Sequence, residues 1–303
     1  MNPEISVIIC TYNRGQLLKK TLLSFNGMRS AIDFEIIVVD NNSKDDTKNV
    51  VDECKLMLEL EDISVKYILE KNQGLSIARN TGLKHASADI VAFLDDDAIP
   101  SSTWLSSIKH TFINYPYISA IGGIVEPIFE TEKPEWLSGK LEHLYTIINL
   151  GESMRKYPKR FYPVGANMAF RKSVFDEVKF PEHLGRQGTT LLSGEETWVF
   201  SQLIKKGYQV YYVPQMKIKH FISKERLSED WILKRYYFEG RSKAYFATTL
   251  PKKMVLITES LIKIIYLFGE GLFVREKSKK LLNQCRKKSQ FGVLKELLDF
   301  KRV

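Results

Sequence analysis

The stretch IVAFLDDDAIP, residues 90–100, decides the fold, because an apolar run ends there in three consecutive aspartates. The apolar part predicts a strand at 90–95 that is buried on both faces. Earlier in the chain, similar runs alternate with segments whose apolar residues have helical spacing. We expect a strand at 5–10, a helix at 15–25, a strand at 34–40, a helix at 45–60, a strand at 65–70 and a helix at 75–86. This alternation is typical of βαβ units, so the sequence predicts an α/β fold with a mixed, mostly parallel sheet flanked by helices.

The regular alternation fades after Pro100. Apolar spacing and turn residues still predict further elements. We expect a helix at 104–115, a strand at 121–129, a strand with a turn at 162–170, a helix leading into a loop at 171–183, a helix at 194–206 and a strand at 208–214. The chain is therefore divided into an α/β domain at 1–222 and a helical, basic C-terminal extension at 223–303.

Polar residues stand where three of the predicted strands end. Thr11 follows the first strand, Asp40 ends the second, and Asp95–Asp97 end the fourth. Ligands of open α/β sheets bind at the carboxyl ends of the strands. No GxGxxG follows the first strand and no GxxxxGK[ST] occurs anywhere, which excludes a dinucleotide-binding dehydrogenase and a P-loop NTPase.

The three aspartates are a candidate metal site. Adjacent carboxylates repel each other unless a divalent cation and a phosphate balance them, and Mg²⁺ or Mn²⁺ takes carboxylate and phosphate oxygens. Residues two apart in an extended segment face the same way, so Asp95 and Asp97 are expected to converge while Asp96 points elsewhere. The alternative is a solvated acidic turn that caps the helix after Pro100.

Six motifs in order resemble family 2 glycosyltransferases of the GT-A fold, a Rossmann-like fold of nucleotide-diphospho-sugar transferases. They cover residues 5 to about 220. The motifs are SVIICTYNR at 6–14, VVDNNSKDDT at 38–47, NQGLSIARNTGL at 72–83, AFLDDDAIP at 92–100, GANMAF at 165–170 and GEET at 194–197.

The resemblance implies an inverting enzyme that uses a nucleotide-sugar donor, by default a UDP-sugar, and a divalent cation, Mn²⁺ or Mg²⁺. The acceptor would be a saccharide or a lipid-linked molecule, in the synthesis of cell-surface polysaccharide or glycoconjugate. The implied nucleotide-binding residues are Thr11, Asn13, Arg14, Asp40, Arg79 and Asp95. The implied metal ligands are Asp97, Asp95 and His220, and the sugar or acceptor side would be lined by Gly165, Ala166 and Asn167.

Inverting transfer needs a carboxylate to accept the acceptor hydroxyl's proton, and the resemblance implies this base at the acidic pair Glu195-Glu196, which opens a helix. The family usually has Glu-Asp there, and this chain has Glu at 196, so which of the two is the base stays open. By position, Glu196 would be the base and Glu195 would support it. The alternative is a pair of acids that only favours the start of a helix.

Each of the other assignments also has an alternative. Asp40 would otherwise cap the following helix. Arg79 would be an exposed helix residue, and His220 a structural histidine on the surface.

The charge of the chain is concentrated at one end. The net charge is +9, but residues 252–303 carry 13 basic and 5 acidic residues, a net of +8, which leaves +1 for the rest. A nucleic-acid-binding protein would carry its charge on the recognition fold, so no nucleic-acid partner is expected. Three scattered cysteines without a CxxC pair favour a reducing compartment.

Residues 254–273 form an apolar segment that is interrupted by Glu259, Lys263 and Glu270. Three charges make a membrane span costly, so we expect a helix in the plane of an anionic membrane surface, with basic residues against the headgroups. The alternative is a helix that packs on the catalytic domain or forms a homodimer. No signal peptide or membrane span is expected, which places the protein in the cytoplasm, peripheral on the cytoplasmic face of the membrane.

Two rival functions stay open at this point. A sugar nucleotidyltransferase would share a related α/β fold, although CTYNRGQ at 10–16 is a poor version of its phosphate loop. A non-catalytic basic binding protein would account for the charge alone.

Overall fold

The computed structural model describes residues 3–28, 32–137, 139–159, 161–188 and 190–299 of the chain. The chain divides into two compact units. The first unit consists of Met1–Ile128, Thr146–His183 and Glu195–Phe221, and the second of Phe129–Tyr145, Leu184–Gly194 and Ile222–Val303.

Eleven strands are found in the described residues. They are β1 (Ile5–Thr11), β2 (Phe34–Asp40), β3 (Ser64–Leu69), β4 (Ile90–Leu94), β5 (Ala98–Pro100), β6 (Ile118–Gly122), β7 (Val125–Phe129), β8 (Arg155–Lys156), β9 (Asn167–Arg171), β10 (Gln209–Tyr212) and β11 (Ile218–Ile222). An eight-stranded sheet has the order β3-β2-β1-β4-β9-β6-β10-β8, and a three-stranded sheet has the order β5-β11-β7.

The large sheet is mixed and mostly parallel. Strands β1 to β4 run parallel, with Thr11 of β1 beside Asp40 of β2. Strand β9 lies antiparallel between β4 and β6, and its first residue, Asn167, pairs with Leu94 at the end of β4. The start of β9 therefore lies at the same edge as the carboxyl ends of β1, β2 and β4. The predicted fold class is confirmed.

Among its described residues, the first unit has five α-helices. They are α1 (Gly15–Leu23), α2 (Thr47–Glu59), α3 (Leu75–His85), α4 (Trp104–Asn114) and α5 (Glu195–Lys205). Their apolar sides and the central strands form one core, in which every residue of β2 is buried. Burial on both faces explains why these strands read as continuous apolar runs.

Two of the sequence predictions are wrong in detail. The single strand expected at 121–129 is two strands, β6 and β7, which belong to different sheets. The strand breaks at Gly123, where a Cβ atom would lie 1.7 Å from the carbonyl oxygen of Met216. The helix expected in 171–183 is only a 3-10 helix at Lys172–Asp176, and Pro181 disfavours a helical conformation at Phe180, whose two backbone groups bond the side chain of Asn80.

The second unit contains three long helices, α6 (Glu229–Ala244), α7 (Leu250–Gly271) and α8 (Lys277–Leu298). Helices α6 and α8 approach closely at two glycines. A Cβ atom at Gly240 would lie 1.9 Å from the carbonyl oxygen of Ser289, and one at Gly292 would lie 2.0 Å from that of Tyr237. Within the described ranges, no helix has the combination of length and apolar character needed to cross a bilayer.

Candidate active site

The aspartates after β4 are not a solvated turn. Asp96 and Asp97 are buried, and helix α4 begins only at Trp104 with Thr103 as its N-cap. Asp96 accepts a hydrogen bond of 2.7 Å from the hydroxyl of Thr11 and one of 3.1 Å from Arg14. Burial raises the pKa of Asp96 to about 6, although the charge of Arg14 opposes this rise. The capping alternative is therefore wrong.

Asp95, Asp97 and His220 converge. One ligand atom from each lies within 4.8 Å of the other two. His220 Nε2 is 3.0 Å from Asp97 Oδ1, and Arg14 Nη1 is 3.0 Å from Asp97 Oδ2. The expectation that Asp96 points away from Asp97 is wrong in part, because residues 96 and 97 form a turn and both carboxylates contact Nη1 of Arg14, while Asp96 also bonds Thr11.

The small sheet brings His220 to this place. His220 on β11 pairs with Ala98 on β5, and the amide of Phe221 donates to the carbonyl oxygen of Asp97. The other ring nitrogen, Nδ1, lies 3.0 Å from the hydroxyl of Thr146, which leaves Nε2 facing the carboxylates. His220 is buried, so the alternative of a surface histidine is wrong.

The residues present fit a divalent cation. Two carboxylates and an imidazole nitrogen are a donor set that Mn²⁺ accepts, and Mg²⁺ would use the carboxylates. The surroundings also carry an excess of acid. Five carboxyl groups meet the two guanidinium groups of Arg14 and Arg79, and the carboxyl groups belong to Asp95, Asp96, Asp97, Glu195 and Glu196. A bound cation would reduce this imbalance.

Arg79 connects the aspartates with the acids of α5. Its Nη1 lies 3.0 Å from Oε1 of both Glu195 and Glu196, and its Nη2 lies 3.9 Å from Oδ1 of Asp95. The guanidinium also lies over the ring of Phe180, with its carbon 5.4 Å from the ring centre. Arg79 is only 2% exposed, so the alternative of an exposed helix residue is wrong.

The two glutamates differ in protonation. Burial and the charge of Glu196 raise the pKa of Glu195 to about 8, although Arg79 opposes the rise. Burial would also raise the pKa of Glu196, but Arg79 and hydrogen bonds from Glu195 and the backbone outweigh it, so this pKa is lowered. At neutral pH the two coupled carboxyl groups therefore hold one proton between them, and the opposite pKa shifts favour Glu195 as the protonated member.

Gly165 leaves the space in which Arg79 and Glu196 meet. A Cβ atom at Gly165 would lie 2.1 Å from Arg79 Nη2 and 2.3 Å from Glu196 Oε1. The neighbouring Ala166 and Asn167 are buried. The side-chain amide of Asn167 donates to two backbone carbonyls and accepts from the indole of Trp104, so it fastens the start of β9.

The loops after β1 and β2 are tied together. Asn13 Oδ1 accepts from the amide of Lys44 at 2.7 Å, and the amide of Asn13 donates to Ser43 Oγ at 2.9 Å. Asp40 accepts 2.8 Å bonds from the Ser43 amide and the Tyr67 hydroxyl. Helix α2 has Asp46 as its N-cap, so the alternative that Asp40 caps this helix is wrong.

Several residues around the site carried no signal in the sequence. Tyr67, Thr146 and Phe180 contact Asp40, His220 and Arg79, but none of the three belongs to a motif. Each reaches the site from an element that is distant along the chain. Such partners are found only in the folded structure.

Comparison with known proteins gives the family. The family described as Glycosyl transferase family 2 matches residues 6–179, which is more than half of the chain. The chain is 26% identical over 258 residues to a glucosyl-dolichyl phosphate glucuronosyltransferase of Haloferax volcanii, covering 82% of this chain and 79% of that protein. It is 34% identical over 216 residues to a GalNAc(5)-diNAcBac-PP-undecaprenol beta-1,3-glucosyltransferase of Campylobacter jejuni, covering 70% of this chain and 65% of that protein.

Solved structures share the fold. A mannosyltransferase from Pyrobaculum calidifontis in complex with GDP-Man and Mn²⁺ superposes with a TM-score of 0.65 at 18% identity, covering 99% of this chain and 89% of that one. GalNAc-T7 with UDP, GalNAc and Mn²⁺ superposes with a TM-score of 0.55 at 15% identity, covering 80% of this chain and 51% of that one. The chain belongs to glycosyl transferase family 2 and is a glycosyltransferase of the GT-A fold.

Proposed function

We propose that the enzyme transfers a sugar, with inversion, from a nucleotide-diphosphate sugar to a saccharide or lipid-linked acceptor. The observation that carries this proposal is the position of Arg79, which lies between the convergent acids Asp95 and Asp97 and the glutamates of α5. The donor site and the acceptor base would thus both lie against the buried guanidinium of Arg79. The relatives named for dolichyl phosphate and PP-undecaprenol substrates support an acceptor carried on a lipid.

On the donor side, Asp95, Asp97 and His220 would hold Mn²⁺ or Mg²⁺. The bound cation supplies Lewis acidity for the charge that develops on the diphosphate as the glycosidic bond breaks. Arg14 and Arg79 place two further positive charges beside these acids. Thr11, Asn13 and Asp40 would line the nucleoside, with UDP as the default nucleotide.

On the acceptor side, Glu196 is the proposed base. It is ionised at neutral pH, and its side chain is 19% exposed, whereas Glu195 is buried and protonated. Only the ionised and accessible carboxylate can take the proton of an acceptor hydroxyl. Glu195 would orient Glu196 through their shared proton, and Gly165 would keep the acceptor side open.

The product would belong to cell-surface polysaccharide or glycoconjugate synthesis, with the enzyme at the cytoplasmic face of the membrane. Neither rival function is retained, because family membership favours sugar transfer over nucleotidyl transfer and over a non-catalytic role.

The test is a donor screen over UDP-, GDP- and dTDP-sugars with Mn²⁺, read by thermal shift and by donor hydrolysis. Glu196→Gln should keep Mn²⁺-dependent donor binding and lower transfer by at least about 100-fold, because it removes the base. Asp97→Ala should lose the Mn²⁺-dependent shift itself. Pyrophosphate formation from a nucleoside triphosphate and a sugar phosphate would contradict the proposal, and full activity of Glu196→Gln would move the base to Glu195.

A further inference from the structure

Helix α7 has one side without charge. At 100° per residue, four of the five charged residues, Lys252, Glu259, Lys263 and Glu270, fall on one flank of the helix, and the fifth, Lys253, stands in the first turn on the side of Ser260. The arc that faces away from the buried Ser260 and Leu267 carries apolar side chains from Leu250 to Phe273 and no charged residue. The most exposed of them are Leu250, Ile262, Ile265, Tyr266, Leu272 and Phe273, with 61–85% of their surface accessible. We call this arc of the helix the outer face of α7.

The inner side of α7 is fixed within its own unit. Ser260 and Leu267 are buried there, and α7 packs on α8. The side-chain amide of Asn283 donates to the carbonyl oxygen of Leu267 at 3.0 Å and to Glu270 at 2.9 Å. The outer face is therefore held in a defined orientation, and its exposure does not come from a detached helix.

An exposed apolar face of this length calls for a partner. The 22 residues of α7 extend over roughly 33 Å at 1.5 Å per residue. Monomeric proteins rarely expose continuous apolar patches larger than a few hundred Å² without a binding role. The helix does not meet the requirements for crossing a bilayer.

Positive charges lie at both ends of the outer face. Lys252 and Lys253 stand exposed at its beginning, and Arg275 and Lys280 stand exposed after its end, beside the ion pair of Lys279 with Glu276. Near the end of α7, Lys287 of α8 holds its ammonium 4.3 Å from the ring centre of Phe268. Apolar side chains bordered by cations are the pattern of helices that lie in the interface of an anionic membrane.

We propose that the outer face of α7 docks on an anionic lipid bilayer, with the helix axis in the membrane plane. The apolar side chains would enter the boundary between headgroups and acyl chains, and the cations at either end would contact lipid phosphates. The proposal concerns where the enzyme is held and does not depend on the transfer chemistry.

The charges favour a bilayer over a second copy of the chain. If two copies paired their outer faces around a two-fold axis, a basic end of one helix would lie against a basic end of the other, whether the helices ran parallel or antiparallel. Like charges at both ends destabilise such a pair. An anionic membrane surface would instead attract the basic residues at both ends of the helix.

The test is sedimentation of the full chain with phosphatidylcholine vesicles, with and without phosphatidylglycerol. We expect binding only to the anionic vesicles, with partial loss at high salt because the apolar contact persists. The double variant Ile265→Glu with Leu272→Glu should lower the partition coefficient by at least about tenfold, since it removes apolar contact and adds repulsion.

The matched control is Leu56→Glu with Leu60→Glu, which changes two exposed leucines in the first unit and the charge by the same amount. This control should bind vesicles like the wild type. Both double variants should hydrolyse donor in solution at the wild-type rate, which separates failure of docking from failure of the proposed chemistry. Equal vesicle binding by the two double variants would overturn the proposal. The proposal would also be overturned if light scattering showed that the wild type is a dimer that does not bind vesicles and that Ile265→Glu with Leu272→Glu converts this dimer to a monomer.

Discussion

At the scale of single residues, the candidate site depends on how closely three side chains can approach one buried guanidinium. Arg79 has acids on two sides, and Gly165 is the residue that leaves room for this arrangement. The atoms that a Cβ at 165 would strike are the ends of the Arg79 and Glu196 side chains, which can move. A larger residue at 165 would therefore change the geometry of the site before it changed the fold.

Gly165→Ala should lower the transfer rate by roughly 100-fold, because small misplacements of catalytic groups have effects of that size. The chain should remain folded, as shown by an unchanged far-UV circular dichroism spectrum. Gly269→Ala is the control, because no atom lies within 4 Å of a Cβ at that position. Wild-type activity in Gly165→Ala would show that the contact between Arg79 and Glu196 is not needed.

The proton on Glu195 makes stability depend on pH. Its pKa is about 8 in the folded chain and 4.5 in its ordinary state, so between these values the folded chain holds a proton that the unfolded chain releases. This contribution to stability is fully present below pH 4.5 and is lost as the pH rises through 8.

Glu195→Gln removes this titration and keeps a neutral side chain of the same shape. The stability of the variant relative to the wild type should therefore increase steadily from pH 5 to pH 8.5, measured by urea unfolding at several pH values. Glu177→Gln is a suitable control, because Lys206 and Tyr208 lower the pKa of this exposed carboxylate and its titration lies below the window. If the difference in unfolding free energy between Glu195→Gln and the wild type stayed constant from pH 5 to pH 8.5, the assignment of the proton to Glu195 would be contradicted.

At the scale of elements, two strand pairings assemble the site. The antiparallel strand β9 delivers Gly165 to the edge where the parallel strands end, because Asn167 pairs with Leu94. The pairing of β5 with β11 delivers His220 to Asp97. Strand β5 has only three residues, too few for the sequence to show a pattern.

The contact between α6 and α8 depends on glycine. Gly240→Ala would place a Cβ atom against backbone atoms of Ser289, which cannot rotate away, so we expect a loss of about 1–3 kcal/mol in the free energy of unfolding. In Gly269→Ala the same change on an open helix surface should be neutral or should stabilise by up to about 1 kcal/mol. Chemical unfolding of both variants checks this difference, and equal stabilities would show that the helices can separate at no cost.

At the scale of the whole molecule, the basic end of the chain is part of a folded unit. Leu281, Cys285 and Val293 of α8 are buried, and Arg241 of α6 bonds Glu296 of α8 at 2.7 Å. The charge of this end therefore lies on helices that also support α6. Deleting α7 and α8 would therefore disturb α6 as well, so this deletion cannot test membrane contact by itself.

A chain that ends after Thr249 lacks α7 and α8 and should expose the side of α6 that packs on α8. We expect protease cleavage within 229–244 under conditions in which the full chain resists it, measured by limited proteolysis and mass spectrometry. A chain that ends at Asp299 keeps α8 and should resist like the full chain. Equal resistance of the chain ending at Thr249 would show that α6 is stable without its partners.

The sequence by itself determined the α/β class, the strands β1 to β4, the family and the acids at the strand ends. Each of these depends on residues that are close along the chain, such as the apolar run of β2 or Asp95 to Asp97 after β4. Local periodicity and motifs record such information directly.

Only the tertiary structure decided which of these residues meet. The distance between Arg79 and Glu195, the pairing of His220 with Asp97 and the space at Gly165 all join segments that are far apart in the chain. The protonation of Glu195 follows from burial, which is a property of the packed core and not of two adjacent glutamates. For the same reason, the sequence suggested an apolar helix at 254–273, but only the packing of α7 on α8 showed which of its faces stays exposed.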